Sequence, residues 1–182
     1  MTIRIFLLGA LAASLMPAHT ADGQAEPIVP KTIKAGLLAR LDESSSKVLQ
    51  LGEAIPADRY SWRPAAGVRS IGEVLVHVGL GMYYTTSDAG AKPPMEISDE
   101  AEKTITSKAE VLAFLRASID HMRNALGRLT PADLEHPTTM FGQSTDYENV
   151  YLFGVAHVHE HLGQLIAYAR MNGVAPPWSH AH

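Results

Sequence analysis

The chain contains no cysteine. Disulfides, thiolate nucleophiles, cysteine-ligated zinc and cysteine-attached lipid are therefore all excluded. Neither sign of charge dominates: 15 Lys and Arg stand against 19 Asp and Glu, for a formal charge of −4. A nucleic-acid surface needs a basic face, and with a pI of about 6.1 no nucleic-acid partner is expected. Three catalytic signatures are missing: the Gly-x-Ser-x-Gly elbow, the Walker-type Gly-Lys-Ser/Thr loop and the Gly-x-Gly-x-x-Gly fingerprint. What the 182 residues do hold is 46% hydrophobic side chains, enough for one packed domain, and nine histidines.

No apolar stretch is long enough to cross a membrane as a helix. The apolar stretch Ile5–Met16 falls well short of the ~20 residues that span a bilayer. It follows Arg4 and precedes small residues that allow cleavage after Thr20 or Ala25, the pattern of a secretory signal. Residues 1–25 are thus expected to be a signal peptide and 26–182 the mature domain. The protein would be periplasmic or secreted, with no membrane attachment after cleavage; the alternative is a retained anchor helix.

The remainder divides into four stripes with spacings of three and four. They are Leu37, Leu41, Ser44, Val48, Leu51, Ile55; Ile71, Leu75, Val78, Met82; Leu112, Leu115, Ile119, Met122, Leu126, Leu129; and Tyr151, Val155, Val158, Leu162, Leu165, Ala169. Such spacing puts an apolar seam along one side of a helix, and no comparable stretch alternates with period two. The fold class is all-α. Ser70-x-x-Glu73 and Ser107-x-x-Glu110 read as capping boxes. Helices are predicted over Thr32–Ile55, Ser70–Ser87, Ser107–Leu129 and Tyr147–Asn172. The connections are long for a plain up-down bundle, and the one around Lys92-Pro93-Pro94 can cross its length.

The last stripe contains Ala156-His-Val-His-Glu-His161. His157 and His161, four apart, lie one turn above each other and can share one metal ion. His77 directly precedes Val78 of its seam, as His157 precedes Val158. If the two helices pack alike, three imidazoles converge, leaving an open coordination position. The bland alternative is a solvated His-rich face. His159 and Glu160 point away and read as surface, and His121 as a rim or core residue. His136 falls in a loop, and His180 and His182 in a tail. Glu73, four residues before His77, either orients that imidazole or serves only as a helix cap. Gln164 and Tyr84 are candidate pocket residues. Ala156, Gly163 and Ala167 form a small-residue strip, away from seam and histidines, that suits close helix packing or a homodimer.

Two blocks carry a resemblance. Tyr60-Ser-Trp-Arg-Pro-Ala-Ala-Gly67 followed by Ser70-Ile-Gly-Glu-Val-Leu-Val-His77 resembles the start of a DinB-like domain, and His157-x3-His161-Leu-Gly-Gln164 through Pro176 resembles that family's last helix. The similarity covers about residues 32–178. It implies a four-helix bundle of up-down-down-up type, often dimeric, binding a divalent metal through His77, His157 and His161. Imidazole suits zinc, nickel, copper and iron, and zinc or nickel is the expectation here. Some DinB-like relatives are similar to thiol-dependent transferases or isomerases. The expected function is a metal-dependent enzyme, a hydrolase or thiol-transferase-like protein, acting on an unidentified small molecule. The alternative is a metal- or ligand-binding bundle without catalysis.

Overall fold

The computed structural model describes residues 30–180; the proposed signal segment and His182 lie outside them. Six helices and one hairpin follow in order: α1 (Ile33–Ala54), α2 (Ile71–Asp88), α3 (Ala101–Thr104), α4 (Lys108–Arg128), α5 (Pro131–Leu134), β1 (Pro137–Met140), β2 (Gln143–Asp146) and α6 (Tyr147–Met171). The four long helices begin and end within a residue of their predicted bounds. Both capping boxes form: Ser70 and Ser107 accept from the backbone N–H of Glu73 and Glu110, whose carboxylates return to the cap. Every residue of the α1, α2 and α6 seams is buried, whereas Leu112, Ile119 and Leu129 of the α4 seam are half-buried at its rim.

Close approaches fix the topology. The start of α4 meets the end of α1, where Lys108 Nζ donates to the carbonyls of Glu53 and Ile55 at 2.7 Å each. At the opposite end, Lys34 Nζ donates to the Gly127 and Leu129 carbonyls. Leu75 and Leu112 meet at Gly52, Gly79 faces Phe114 and Ser118, and His121 reaches the Ala91 carbonyl just past the end of α2, so α2 and α4 run parallel. Gly81 faces His157 and Gly154 faces Thr85, so α2 and α6 run antiparallel. The bundle is up-down-down-up. The connection from α2 to α4 consequently travels the full length of the bundle, with α3 formed on the way.

The hairpin is the departure from an all-helical reading. β1 and β2 pair antiparallel, with Met140 opposite Gln143 across the two-residue turn Phe141-Gly142. Both turn residues have positive φ, 51° and 75°, as a tight hairpin following the strand twist requires. The strands are four residues each and largely polar, too short for a period-two signal. Thr138 Oγ1 ties the hairpin to the end of α2, donating to the Asp88 carbonyl at 2.7 Å. No helix among the described residues is long and apolar enough to cross a membrane.

Candidate metal centre

His77 projects from the middle of α2, and His157 and His161 from successive turns of α6. The antiparallel packing of these two helices brings the three imidazoles together. His157 Nε2 lies 3.2 Å from His77 Nε2 and 3.1 Å from His161 Nε2. The other ring nitrogens of His77 and His161 face acceptors. His77 Nδ1–H donates to Glu102 Oε1 at 2.8 Å, and His161 Nδ1–H donates to Gln164 Oε1 at 2.7 Å. Those bonds set the tautomers, leaving bare Nε2 lone pairs aimed at one another. His157 has one N–H and can donate to only one neighbour.

Nitrogen lone pairs at this distance repel unless a cation lies between them. Zn–N bonds of 2.0–2.1 Å in tetrahedral array place nitrogens about 3.3 Å apart, close to the spacing found. The donor set therefore fits a divalent ion, and these three histidines can hold one. Copper, nickel and iron accept the same donors.

Electrostatics favour the ligating form. Burial pushes the His157 imidazole down to about 4, and the positive charges that His161 and His77 would carry act in the same direction. Burial also lowers His77, and only the Glu102 hydrogen bond and charge oppose it. Glu102 is itself buried; its burial would raise the carboxyl, but hydrogen bonds from Arg69 and His77 outweigh that and hold it below the ordinary range. Arg69 Nε donates to Glu102 Oε2 at 2.6 Å. Arg69, Glu102 and His77 form one chain ending at the Nε2 lone pair. Gln164 continues the other side, its Nε2 donating to Tyr168 Oη at 2.9 Å, with Tyr168 edge-on to Trp62.

His157 owes its position to a glycine. A Cβ on Gly81 would lie 2.4 Å from His157 Cε1 and 2.6 Å from Nδ1. Only a residue without a side chain lets α2 pass this ring. Phe153 stacks parallel to the ring, 6.2 Å between centroids.

Beside the histidines a cavity of about 430 Å³ opens between α2, α6 and the hairpin. His77, Leu80, Tyr84 and Asp88 line one wall, as successive positions on one face of α2. Phe153, Met140 and Phe141 form the other.

Of the residues singled out from sequence, His77, His157, His161, Gln164 and Tyr84 gather at this site. Glu73 does not. Its carboxylate binds the Ser70 N–H at 2.7 Å and also Arg63 and Lys103, which hold it near 2 despite the opposing effect of burial. The place beside His77 belongs instead to Glu102, which the sequence did not reveal. His159 is exposed, with Nδ1 on the Val155 carbonyl at 2.9 Å. His121 packs on Tyr83 and His136 on Tyr147, both away from the cluster.

No curated protein matches this chain. Among solved structures, a DinB-like protein from Bacillus cereus superposes with a TM-score of 0.70 at 21% identity, covering 78% of this chain and 94% of the other. A DinB-like protein from Bacillus subtilis gives 0.61 at 18% identity, with coverage of 76% and 92%. These likenesses concern the fold. The family model of the DinB superfamily matches residues 40–165, well over half of the sequence, and this chain belongs to the DinB superfamily.

Proposed function

We propose that the protein binds one divalent metal, zinc or nickel, on the Nε2 atoms of His77, His157 and His161, and acts as a metal-dependent enzyme on a small molecule. The observation that carries this reading is the convergence of three Nε2 atoms, with gaps of 3.1 and 3.2 Å, beside a cavity. When bound, the ion supplies Lewis acidity, stabilising negative charge on a nucleophile or a carbonyl oxygen. The chain's own residues do the rest. Glu102 and Gln164 hold two imidazoles with Nε2 free to ligate, Gly81 makes room for the third, and Phe153 and Phe141 give the cavity an apolar wall. Between the two reaction classes, hydrolysis is favoured, because no Lys or Arg lines the cavity to anchor the carboxylates of a low-molecular-weight thiol.

Metal analysis of the purified tag-free protein tests the centre. His77→Ala, His157→Ala and His161→Ala are expected to lose most of the metal, and His159→Ala to keep it. Equal metal content in wild type and His77→Ala would refute the three-histidine site. Turnover of ester, amide or thiol-acceptor substrates that tracks metal occupancy marks an enzyme. Tight metal binding with no turnover returns the non-catalytic bundle.

Export and self-association belong to the same proposal. The N-terminal pattern supports a periplasmic or secreted protein, and mass spectrometry of the native form should find an N-terminus after Thr20 or Ala25. Ala156, Gly163 and Ala167 are exposed on α6, and a Cβ at Gly163 would meet nothing within 4 Å. That open strip supports a homodimer, which Gly163→Leu should shift toward monomer in analytical ultracentrifugation; a monomeric wild type would overturn it.

A further inference from the structure

The cavity beside the histidines has a chemical character of its own. Along α2 its wall runs from His77 through Leu80, Tyr84 and Thr85 to Asp88, a rise of about 16 Å from first to last at 1.5 Å per residue. The histidine cluster therefore stands at one end and Asp88 at the other. Between them the walls are aromatic and aliphatic: Tyr84, Phe153, Phe141, Met140 and Leu80. The charged residues lining it, apart from the histidines, are both acidic, Asp88 and Asp99. Tyr84 Oη donates to Asp99 Oδ1 at 3.0 Å, which holds that carboxylate at the rim. The Asp88 side chain has no ion-pair or hydrogen-bond partner among the described residues. Its carboxyl is raised by burial, with no cation to offset the effect.

Phe141 adds an independent sign. It occupies a turn position with φ of 51°, where Asn, Asp or Gly is the ordinary choice. A bulky residue there costs about 1–2 kcal/mol, and its ring is 78% exposed, so core packing does not repay it. The ring stands edge-on to Phe153 at 5.2 Å and closes the outer wall of the cavity. Strain held at such a place points to a ligand contact.

We propose that this cavity binds a small ligand with an apolar or aromatic body and one cationic, amine-type end, its body against the wall that Phe141 and Phe153 form and its cation at Asp88 and Asp99. The assignment rests on the site proposed above, and it names the substrate class of that site. Aromatic faces and uncompensated carboxylates attract an organic cation together. A carboxylate-bearing ligand meets like charge at Asp88 and Asp99 and no counter-ion.

The test uses metal-loaded protein and three probes of similar shape: trimethyl(2-phenylethyl)ammonium, which cannot ligate a metal, 2-phenylethanol and 3-phenylpropionate. Affinities come from calorimetry or ligand-observed NMR. The cation is expected to bind at least about tenfold more tightly than either other probe, the range of a partly desolvated cation–π and ion-pair contact that needs no N–H donor. Asp88→Asn should bring the difference below about threefold, and Asp99→Asn, on the exposed rim, should reduce it without risk to folding. Phe141→Ser should weaken all three probes. Binding of 3-phenylpropionate as tight as the cation, no binding of any probe, or an unchanged preference in both Asp variants would overturn the assignment. Elemental analysis of the same samples separates the two readings. Normal metal content without cation preference refutes the cavity assignment alone, whereas cation preference in protein unable to take up metal refutes the metal centre alone.

Discussion

Replacing Gly81 by alanine should separate the metal centre from the stability of the fold. The added methyl would stand 2.4 Å from His157 Cε1, and ordinary contact begins at 3.4 Å, so the ring must retreat by about 1 Å. The α2 backbone cannot yield, since Gly81 lies within the hydrogen-bonded interior of Ile71–Asp88. The ring is also confined, with Phe153 parallel to it on one side. Metal sites tolerate about ±0.2 Å in ligand distance, one-fifth of the required shift. Loss of a positioning partner costs about 10–100-fold in metal affinity, and displacing a ligand should exceed the upper end of that range. Stability should move much less, because the ~0.5–1 kcal/mol by which a helix interior favours alanine over glycine offsets part of the about 1–3 kcal/mol that crowding the ring costs. Chelator competition with zinc reads the first effect, and thermal melting of the metal-free protein reads the second. Zinc affinity within about threefold of wild type would refute the reasoning.

Glu102→Ala should lower metal affinity about 100-fold and Glu102→Gln about tenfold, because the amide still accepts the His77 N–H but lacks the charge; equal affinities in all three proteins would count against a positioning role. The metal-free protein should lose stability as pH falls from 6.5 to about 4. Over that window unfolded imidazoles take up protons that folded His157, held near 4, refuses. Urea midpoints measured across the range should fall, and His157→Ala should flatten the slope. Tyr151→Phe should stabilise the protein by about 1 kcal/mol, since the buried Tyr151 hydroxyl has no hydrogen-bond partner among the described residues; a lowered melting temperature would show an unseen partner.

The helices were legible because burial in a bundle imposes a period on each strand of sequence, and the seams of α1, α2 and α6 follow it without exception. His157 and His161 were legible for the same reason, being neighbours on one helix. His77 required the further step of matching its place beside a seam to that of His157. Glu102 could not be read this way. It reaches His77 from 25 residues along the chain, out of a four-residue helix in the crossover. No periodicity relates two such segments. Glu73 misled through its spacing: i,i+4 puts it on the His77 face, but at the third helical position its carboxylate turns back to the cap. The hairpin escaped because eight mostly polar residues bury too little to alternate. Asp88 and Asp99, 11 residues apart in sequence, are related only through the cavity that both line with Phe141 and Phe153.

The span between His77 and His157 is 80 residues, in a chain that lacks any covalent cross-link. An ion gripped by both would close that loop much as a disulfide does. By the chain-entropy relation, a closure of this length restricts the unfolded ensemble by about 4.5 kcal/mol. Unlike a disulfide, it could form irrespective of the redox state of the compartment and be undone by acid or a chelator. It also closes only after the last helix has docked, because two of its three anchors lie on α6. Metal capture would thus act as the clasp that marks a completed fold.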